Sequence, residues 1–203
     1  MADFTVKVRI EGIAPTMMHN NQACNPLNKY AKEMKAITSK RKKTDEDLEA
    51  LAKIEWESGL YYSPELGPYY PSNNIEVMLR DAAKKLKLGT AVKQSVMVLP
   101  IEIPLQYAGP RNINELRKVA FSGERLGVED FVDMRPAHVG MGSTINRTRP
   151  RFNKWALEFD IISDDTVFNI DDIIHILSIA GTKIGLSDYR PRYGRFEFKI
   201  LNK

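Results

Sequence analysis

An α+β fold is predicted for this 203-residue sequence by three observations. Four segments are rich in β-branched and aromatic residues, and in most of them apolar and polar residues alternate as in a half-buried strand. Two segments carry apolar residues at helical spacing, and each lies between two of the strand segments. The resulting order is β-α-β-β-α-β, interrupted by two long insertions.

The four strands follow from their residue patterns. The first is predicted over residues 5–10, where every second residue is an apolar residue that can face a core. The second is the apolar run 96–103, in which Pro100 indicates an edge strand or a bulge. The third, residues 155–161, alternates strictly, and the last strand is predicted over residues 195–201.

The two helices of this order carry apolar stripes. The first is predicted to begin at Asn73, with Glu76 three residues later, and to end at Gly89. Its apolar residues recur at helical spacing and would form one buried face. The second is predicted over about residues 171–183 and would bury several isoleucines and a leucine.

The insertions occupy about residues 14–70 and about residues 104–153. The first is predicted to be helical over 27–42 and again over 44–59, and the second to be loop or hairpin. Insertions of this length are uncommon as plain loops, so both are candidate functional elements. The chain is therefore predicted to be a single elaborated domain, residues 1–203, of the ferredoxin-like or RRM-like type: a four-stranded antiparallel sheet with two helices on one face.

The composition excludes several classes of protein. The lone Cys24 excludes an internal disulfide and a cysteine-based zinc site, and it suggests a reducing compartment. No apolar run approaches the roughly 18 residues that a membrane span needs. No metal-ligand spacing, P-loop or dinucleotide fingerprint is present, so we expect no metal and no cofactor. We expect a soluble, cytoplasmic protein with no membrane partner.

The net charge of +4 is modest, but the basic residues are clustered. Residues 29–43 contain seven Lys or Arg and one acid, residues 134–157 contain five and no acid, and residues 183–195 contain four and one acid. In the second cluster, arginines at alternate positions would point the same way in an extended chain. Clusters of this kind predict contacts with a phosphate backbone.

The third cluster is a loop in which arginines and tyrosines interleave between two glycines. Guanidinium groups pair with phosphates, and aromatic rings stack on bases, which predicts a nucleic-acid ligand. The predicted nucleic-acid-binding residues are Lys40, Arg41, Lys42, Lys43, Arg147, Arg149, Arg151, Lys154, Tyr189, Arg190, Arg192, Tyr193 and Arg195. The alternative is a surface loop whose arginines stack on tyrosines or pair with carboxylates.

Three further residues bear on ligand binding. Glu158 and Asp160 occupy the solvent face of the third strand, where they would repel phosphates. We therefore expect a ligand at the rim of the sheet and not across it. Arg80 is equally consistent with a ligand contact and with an i,i+4 ion pair to Glu76.

Three segments resemble the repeat-associated mysterious protein superfamily, whose ferredoxin-like members bind RNA, build CRISPR effector backbones and process guide RNAs. They are GIAPTMMH, which resembles that superfamily's opening strand and turn; YYPSNNIEVMLRDAAKK, which is similar to its helix with arginine; and GLSDYRPRYGRFEF, which resembles its glycine-rich loop. The loop departs from the family in having fewer glycines and more arginines. The segments KRKKTDEDLEALAKIEWESGLYY and RTRPRFNKW look instead like a stand-alone group encoded by phages and mobile elements, which would place the protein in the host cytoplasm.

Three functions follow as hypotheses. The first is a non-catalytic protein that binds single-stranded RNA or DNA, and the resemblance implies that it can form a homo-oligomer or filament along the strand. The second is a metal-independent endoribonuclease that uses His19 together with His138 or a tyrosine. The third is a phage protein that mimics or inhibits a CRISPR complex by binding to it. His175 is expected to be a partly buried structural residue.

Overall fold

The computed structural model describes residues 3–122, 131–139 and 143–202. Helices and antiparallel strands are mixed along the chain, and the predicted α+β class is confirmed. The contacts divide the chain into two compact units. Unit 1 comprises Met1–Thr16, Tyr62–Gly109 and Asn153–Lys203, and unit 2 comprises Met17–Tyr61 and Pro110–Phe152. Unit 2 is thus drawn from both of the predicted insertions.

The described residues form the following regular elements. The strands are β1 (Asp3–Gly12), β2 (Thr16–Met17), β3 (Tyr62–Ser63), β4 (Gly67–Pro71), β5 (Val96–Leu99), β6 (Glu102–Pro104), β7 (Phe131–Val139), β8 (Ser143–Phe152), β9 (Ala156–Asp164) and β10 (Phe196–Asn202). The helices are α1 (Lys29–Thr38), α2 (Asp45–Gly59), α3 (Ser72–Ala83), α4 (Gly89–Ser95), α5 (Ile113–Ala120) and α6 (Ile170–Ile179). Short 3-10 turns span Asn21–Cys24 and Lys84–Leu86, and a π-helical turn, Ala180–Ile184, follows α6.

Unit 1 is built around a four-stranded sheet in the order β10-β1-β9-β5, antiparallel throughout. Numbered within this sheet alone, the order is 4-1-3-2, with α3 between the first two strands and α6 between the last two. The alternating apolar residues of β1 and β9 are buried, as their pattern predicts. The stripes of α3 and α6 are buried as well, and these two helices contact each other.

The predicted second strand is two strands. Residues 96–99 form β5, which pairs with β9, whereas 102–104 form β6, which pairs with β4 in a separate three-stranded sheet, β3-β4-β6. Pro100 lies between them and has no N–H with which to continue a ladder. The chain therefore leaves one sheet and enters another at the proline that the sequence marks as a bulge or edge.

The helix predicted from Asn73 to Gly89 also differs in the structure. It begins at Ser72, and Oε1 of Glu76 accepts a hydrogen bond from the backbone N–H of Val98 at 3.0 Å. α3 ends at Ala83, and Gly89 begins α4 instead of closing α3. The glycine is needed for close packing, since a Cβ there would lie 2.6 Å from Cγ of Lys84.

Unit 2 contains α1, α2 and α5 with the sheet β2-β8-β7. Thr44 and Asp47 form a capping box at the start of α2. Trp56 of α2 is fully buried, and its Nε1 donates to the carbonyl of Phe131 at 2.7 Å, which joins the helix to β7. The second insertion is therefore not only a hairpin, because it also supplies α5, whose Asn112 side chain accepts from the first backbone N–H groups.

Among the described helices, none combines the length and the apolar character that crossing a membrane requires.

Candidate nucleic-acid interface

The loop between α6 and β10, residues 185–195, is held at both ends by backbone hydrogen bonds of unit 1. Gly185 has a φ of 81°. The N–H of Leu186 donates to the carbonyl of Gly194 at 2.8 Å, and the N–H of Gly194 donates to the carbonyl of Pro15 at 2.8 Å. A Cβ at Gly194, where φ is 71°, would lie 1.9 Å from the carbonyl oxygen of Leu186. The loop therefore depends on glycine at its closing position.

Three arginines of this loop are exposed: Arg190, Arg192 and Arg195. The Nε of Arg195 donates to the carbonyl of Pro191 at 2.8 Å, which fixes the base of that side chain. Nη1 of Arg190 lies 3.5 Å from Oδ2 of Asp81. A partly exposed pair at this distance adds little stability. The guanidinium can therefore exchange the carboxylate for a phosphate at small cost.

The two tyrosines of the loop contact each other. Tyr189 and Tyr193 are half-buried, their ring centroids lie 6.2 Å apart, and their planes meet at 87°. This edge-to-face arrangement is favourable in itself and stiffens the loop. The contacts of Arg190 and of the tyrosines match the surface-loop alternative in part, so base stacking on these rings stays a prediction.

Asp81, on α3, was not singled out from the sequence. Its Oδ1 accepts from Nζ of Lys84 at 2.8 Å and lies 3.5 Å from Nη2 of Arg80, while Oδ2 faces Arg190. Burial alone would raise the pKa of Asp81, but the hydrogen bond from Lys84 and the charges of Lys84, Arg190 and Arg80 outweigh it and lower that pKa. The spacing of Asp81 and Lys84, i and i+3 on a helix, was a usable signal for this pair. Arg80 thus lies near Asp81, whereas the sequence was equally consistent with a pair to Glu76 and with a ligand contact.

Arg147, Arg149 and Arg151 of the second basic cluster lie on β8 in unit 2, which pairs with β7. Their cross-strand partners are Arg135 for Arg147 and Asp133 for Arg149. Nη1 of Arg147 donates to Oε1 of Glu55 at 2.8 Å. The shared face that alternation predicts is therefore observed, and one of its arginines is already paired with a helix carboxylate.

Arg149 and Arg151 are each only 8 % exposed, and Asp133 is fully buried. Arg135 donates a hydrogen bond to each carboxylate oxygen of Asp133, and Nη1 of Arg151 lies 3.7 Å from Oδ2 of the same carboxylate. Arg149 and Arg151 are therefore buried whereas Arg147 is partly exposed, and the contact of these arginines with nucleic acid stays a prediction. Arg151 of β8 and Arg135 of β7 thus share the carboxylate of Asp133.

The remaining predicted cations are exposed. Lys154 lies in the turn that leads into β9 in unit 1. The run 40–43 lies in the loop between α1 and α2 of unit 2, and not at a helix end as predicted, because α1 stops at Thr38. Nζ of Lys40 donates to Oδ1 of Asp47 at 2.6 Å, and this bond is the main cause of the lowered pKa of Asp47.

The solvent face of the unit 1 sheet is not simply acidic. Glu158 accepts from Nη1 of Arg9 at 2.5 Å, and Arg9 also pairs with Glu11 at 2.7 Å. The hydrogen bond from Arg9 is the main cause of the lowered pKa of Glu158. Asp160 lies opposite Lys7 in the ladder. Cations of β1 thus offset the carboxylates of β9. The expectation that these carboxylates repel phosphates from the sheet face is therefore weakened.

The histidines of the nuclease hypothesis are only partly described. His19 is exposed and lines a pocket of about 220 Å³ within unit 2, together with Glu55, Arg147 and Arg149. The side chain of His138 lies outside the described residues. His175 is exposed, contrary to the expected partial burial, because its position on α6 points away from the buried stripe.

Comparison with known proteins gives a likeness of fold. No protein-family model matches the sequence, and no curated protein matches it. Among solved structures, a chain in the cryo-EM structure of the Type III-B Cmr-beta bound to cognate target RNA matches with a TM-score of 0.51 and 14 % identity. The match covers 96 % of this chain and 59 % of the other, so this chain spans under two thirds of that chain's length. At this identity the likeness concerns the fold alone.

Within the described part of the chain, no group of three or more His, Cys, Asp or Glu side chains is placed to hold a metal ion.

Proposed function

We propose that the protein binds single-stranded RNA through the loop 185–195, without catalysis by that loop. One observation carries the proposal: three exposed arginines and two tyrosines share a loop that glycines and backbone hydrogen bonds hold in place. A loop that is already ordered loses little conformational entropy when a ligand binds. Guanidinium groups would then contact phosphates, and the half-buried tyrosine rings would stack on bases.

The choice of RNA over DNA rests on the likeness of fold to a chain of a complex that is bound to target RNA. The residues of the loop do not distinguish the two nucleic acids, since phosphates and base faces are common to both. The proposal therefore includes a preference for RNA over DNA, which is tested by comparing the two affinities. A role within or against a CRISPR complex is consistent with the same likeness.

The test is the salt dependence of RNA binding, measured by fluorescence anisotropy with a labelled oligouridine. Each phosphate contact contributes about 0.7 to the slope of log affinity against log salt for a single strand. The double variant Arg190→Ala/Arg192→Ala should therefore lower the magnitude of the slope by about 1.4. Lys53→Ala/Lys118→Ala removes the same charge from exposed positions on α2 and α5, outside the three basic clusters, and is the matched control.

An equal change in both double variants would mean that only net charge matters, and the proposed site would be wrong. Oligouridine and oligothymidine of equal length should be compared in the same series. Tighter binding of the DNA would contradict the preference for RNA and leave the site standing.

A second candidate function has its own observation. The pocket that places His19 beside Glu55 and the partly exposed Arg147 combines groups that can move a proton with a cation that can stabilise a charged phosphate. This pocket supports the endoribonuclease hypothesis. Purified protein incubated with RNA and a metal chelator should then shorten the RNA, and His19→Ala should abolish the shortening. Intact RNA with the unaltered protein would dismiss this candidate and leave the binding proposal untouched.

A further inference from the structure

The chain reverses between α3 and α4 of unit 1, and the reversal gathers four cations. The 3-10 turn Lys84–Leu86 extends α3, and Lys87 then takes a left-handed conformation with φ 62° and ψ 20°. The N–H of Leu88 donates to the carbonyl of Ala83 at 2.9 Å. Because Gly89 has no side chain, α4 can lie directly against the stem of Lys84.

The resulting cleft has a volume of about 420 Å³ and carries four positive charges. Its lining residues are Arg80, Lys84, Lys87, Gly89, Thr90 and Lys93. No acidic side chain is among them, and the three lysines are exposed. Arg80 and Lys84 pair with the one carboxylate of Asp81, so the cleft keeps an excess of positive charge that favours an anionic occupant.

The conformation of Lys87 is a second, independent observation. Left-handed backbone is adopted readily by glycine and, less readily, by asparagine, whereas a lysine there is strained. Glycine would suit the turn better on structural grounds alone. A cation at a strained position that borders a cationic cleft is consistent with a binding role that offsets the strain.

The cleft is continuous with the arginine loop through Asp81. Arg80 and Lys84 line the cleft, and both contact the carboxylate that Arg190 faces from the loop. All three cations lie within 3.5 Å of that one side chain. Positive charge therefore runs from the loop, past Asp81, to the lysines between α3 and α4.

We propose that this cleft binds backbone phosphates of the same single strand that the loop holds, so that the strand passes from the loop over Asp81 into the cleft. The inference rests on the proposed function of the loop. Lys87 and Lys93 would act as point charges on phosphates, which need no fixed geometry. The cleft would add affinity and salt dependence without base preference.

The experiment compares a short and a long strand. A labelled oligouridine of about four nucleotides is near the smallest site of a strand-binding domain, whereas one of about sixteen can cover both regions. The test variant is Lys87→Gly/Lys93→Gln, and Lys53→Gln/Lys118→Gln, at exposed positions outside the basic clusters, is the matched control. On the long strand the test variant should lower the magnitude of the salt slope by about 1.4, and on the short strand it should have no effect.

The choice of glycine at position 87 provides a control for unfolding of the variant. Lys87→Gly relieves the left-handed strain, so the melting temperature of this single variant should stay the same or rise while binding of the long strand weakens. Weakened binding in a protein that is at least as stable cannot be attributed to unfolding. A lowered melting temperature with unchanged binding would overturn the inference.

The outcomes separate this inference from the proposed function. If the loop variant weakens binding and the cleft variant does not, the inference fails and the loop proposal stands. If the cleft variant weakens binding of both strands while the loop variant has no effect, the cleft is an independent site and the proposed path is wrong. If neither variant differs from its control, both proposals fail.

Discussion

Replacement of Asp133 by asparagine is expected to destabilise unit 2 strongly. The carboxylate is fully buried, Arg135 donates to both of its oxygens, and Arg151 lies 3.7 Å from one of them. Asparagine keeps the size of the side chain but removes the charge and turns one acceptor into a donor that faces guanidinium groups. The perturbation therefore breaks a buried charged cluster without creating a cavity.

The magnitude follows from the two hydrogen bonds and from burial. Hydrogen bonds to charged groups contribute about 1.5–3 kcal/mol each, and removing one partner of a buried ion pair typically costs about 3–5 kcal/mol. We expect a loss of about 3–5 kcal/mol for Asp133→Asn. With a urea dependence of about 2 kcal/mol per molar, the midpoint of unfolding would fall by about 1.5–2.5 M.

The two tryptophans of the sequence allow each unit to be followed separately, because Trp56 lies in unit 2 and Trp155 in unit 1. Trp56 is a direct probe of the hairpin, since its Nε1 donates to the backbone of β7. Asp133→Asn is therefore introduced into a Trp155→Phe background, and urea unfolding is followed by fluorescence. The matched control is Glu49→Gln in the same background, since Glu49 is 67 % exposed and lies 4.0 Å from Lys53.

The control should change the free energy of unfolding by less than about 1 kcal/mol, as exposed ion pairs do. A change of that small size for Asp133→Asn would refute the reasoning. It would show that the arginines of the hairpin are not organised by this carboxylate, and their role as exposed phosphate ligands would then have to be considered again.

Two further predictions concern unit 1. Gly194→Ala should destabilise this unit by about 1–3 kcal/mol, because a Cβ at a φ of 71° would lie 1.9 Å from a backbone oxygen. Gly59→Ala in unit 2, whose Cβ meets nothing closer than 3.1 Å, should cost less when urea unfolding of its own unit is followed, and equal costs would contradict the strain argument. The pKa of Asp81 is lower in the folded protein than its ordinary value of 3.8. The ionised carboxylate therefore stabilises the folded state at pH values above 3.8, and this contribution is lost as the pH falls through the lower pKa of the folded protein. The difference in stability between the protein and Asp81→Asn should therefore shrink below about pH 3.8, and a difference that grows on acidification would contradict it.

The elements that the sequence predicts well are those whose signal is local. Alternation in β1 and β9 and the apolar stripes of α3 and α6 each lie within one segment. The division of the predicted second strand at Pro100 is harder to predict from the sequence. The proline indicates an interruption, but it does not indicate that the residues after it join another sheet. α5 was missed because it is short and was read as part of a long irregular segment.

The arginines of β8 show why a site is harder to predict than a strand. Alternation correctly places Arg147, Arg149 and Arg151 on one face, but a row of arginines has the same pattern whether solvent or acids cover it. The deciding residue, Asp133, lies sixteen positions before Arg149 and becomes its neighbour only through the register of the hairpin. Charge clustering along the chain therefore overstates the charge at the surface.

The contrast between the buried arginines of β8 and the exposed arginines of the loop 185–195 explains why the proposed interface lies in unit 1. The arginines of the loop 185–195 belong to a turn without a cross-strand partner in the described ladders, so no register places an acid opposite them. Asp81 lies close to the loop but is shared among three cations, and it therefore leaves an excess of positive charge. Asp133 is buried in the hairpin, and its charge neutralises the arginines around it. Asp81 lies nearer the surface, where it orders cations that can still contact a phosphate. That difference in partners, and not the number of arginines, separates a structural cluster from a candidate binding site.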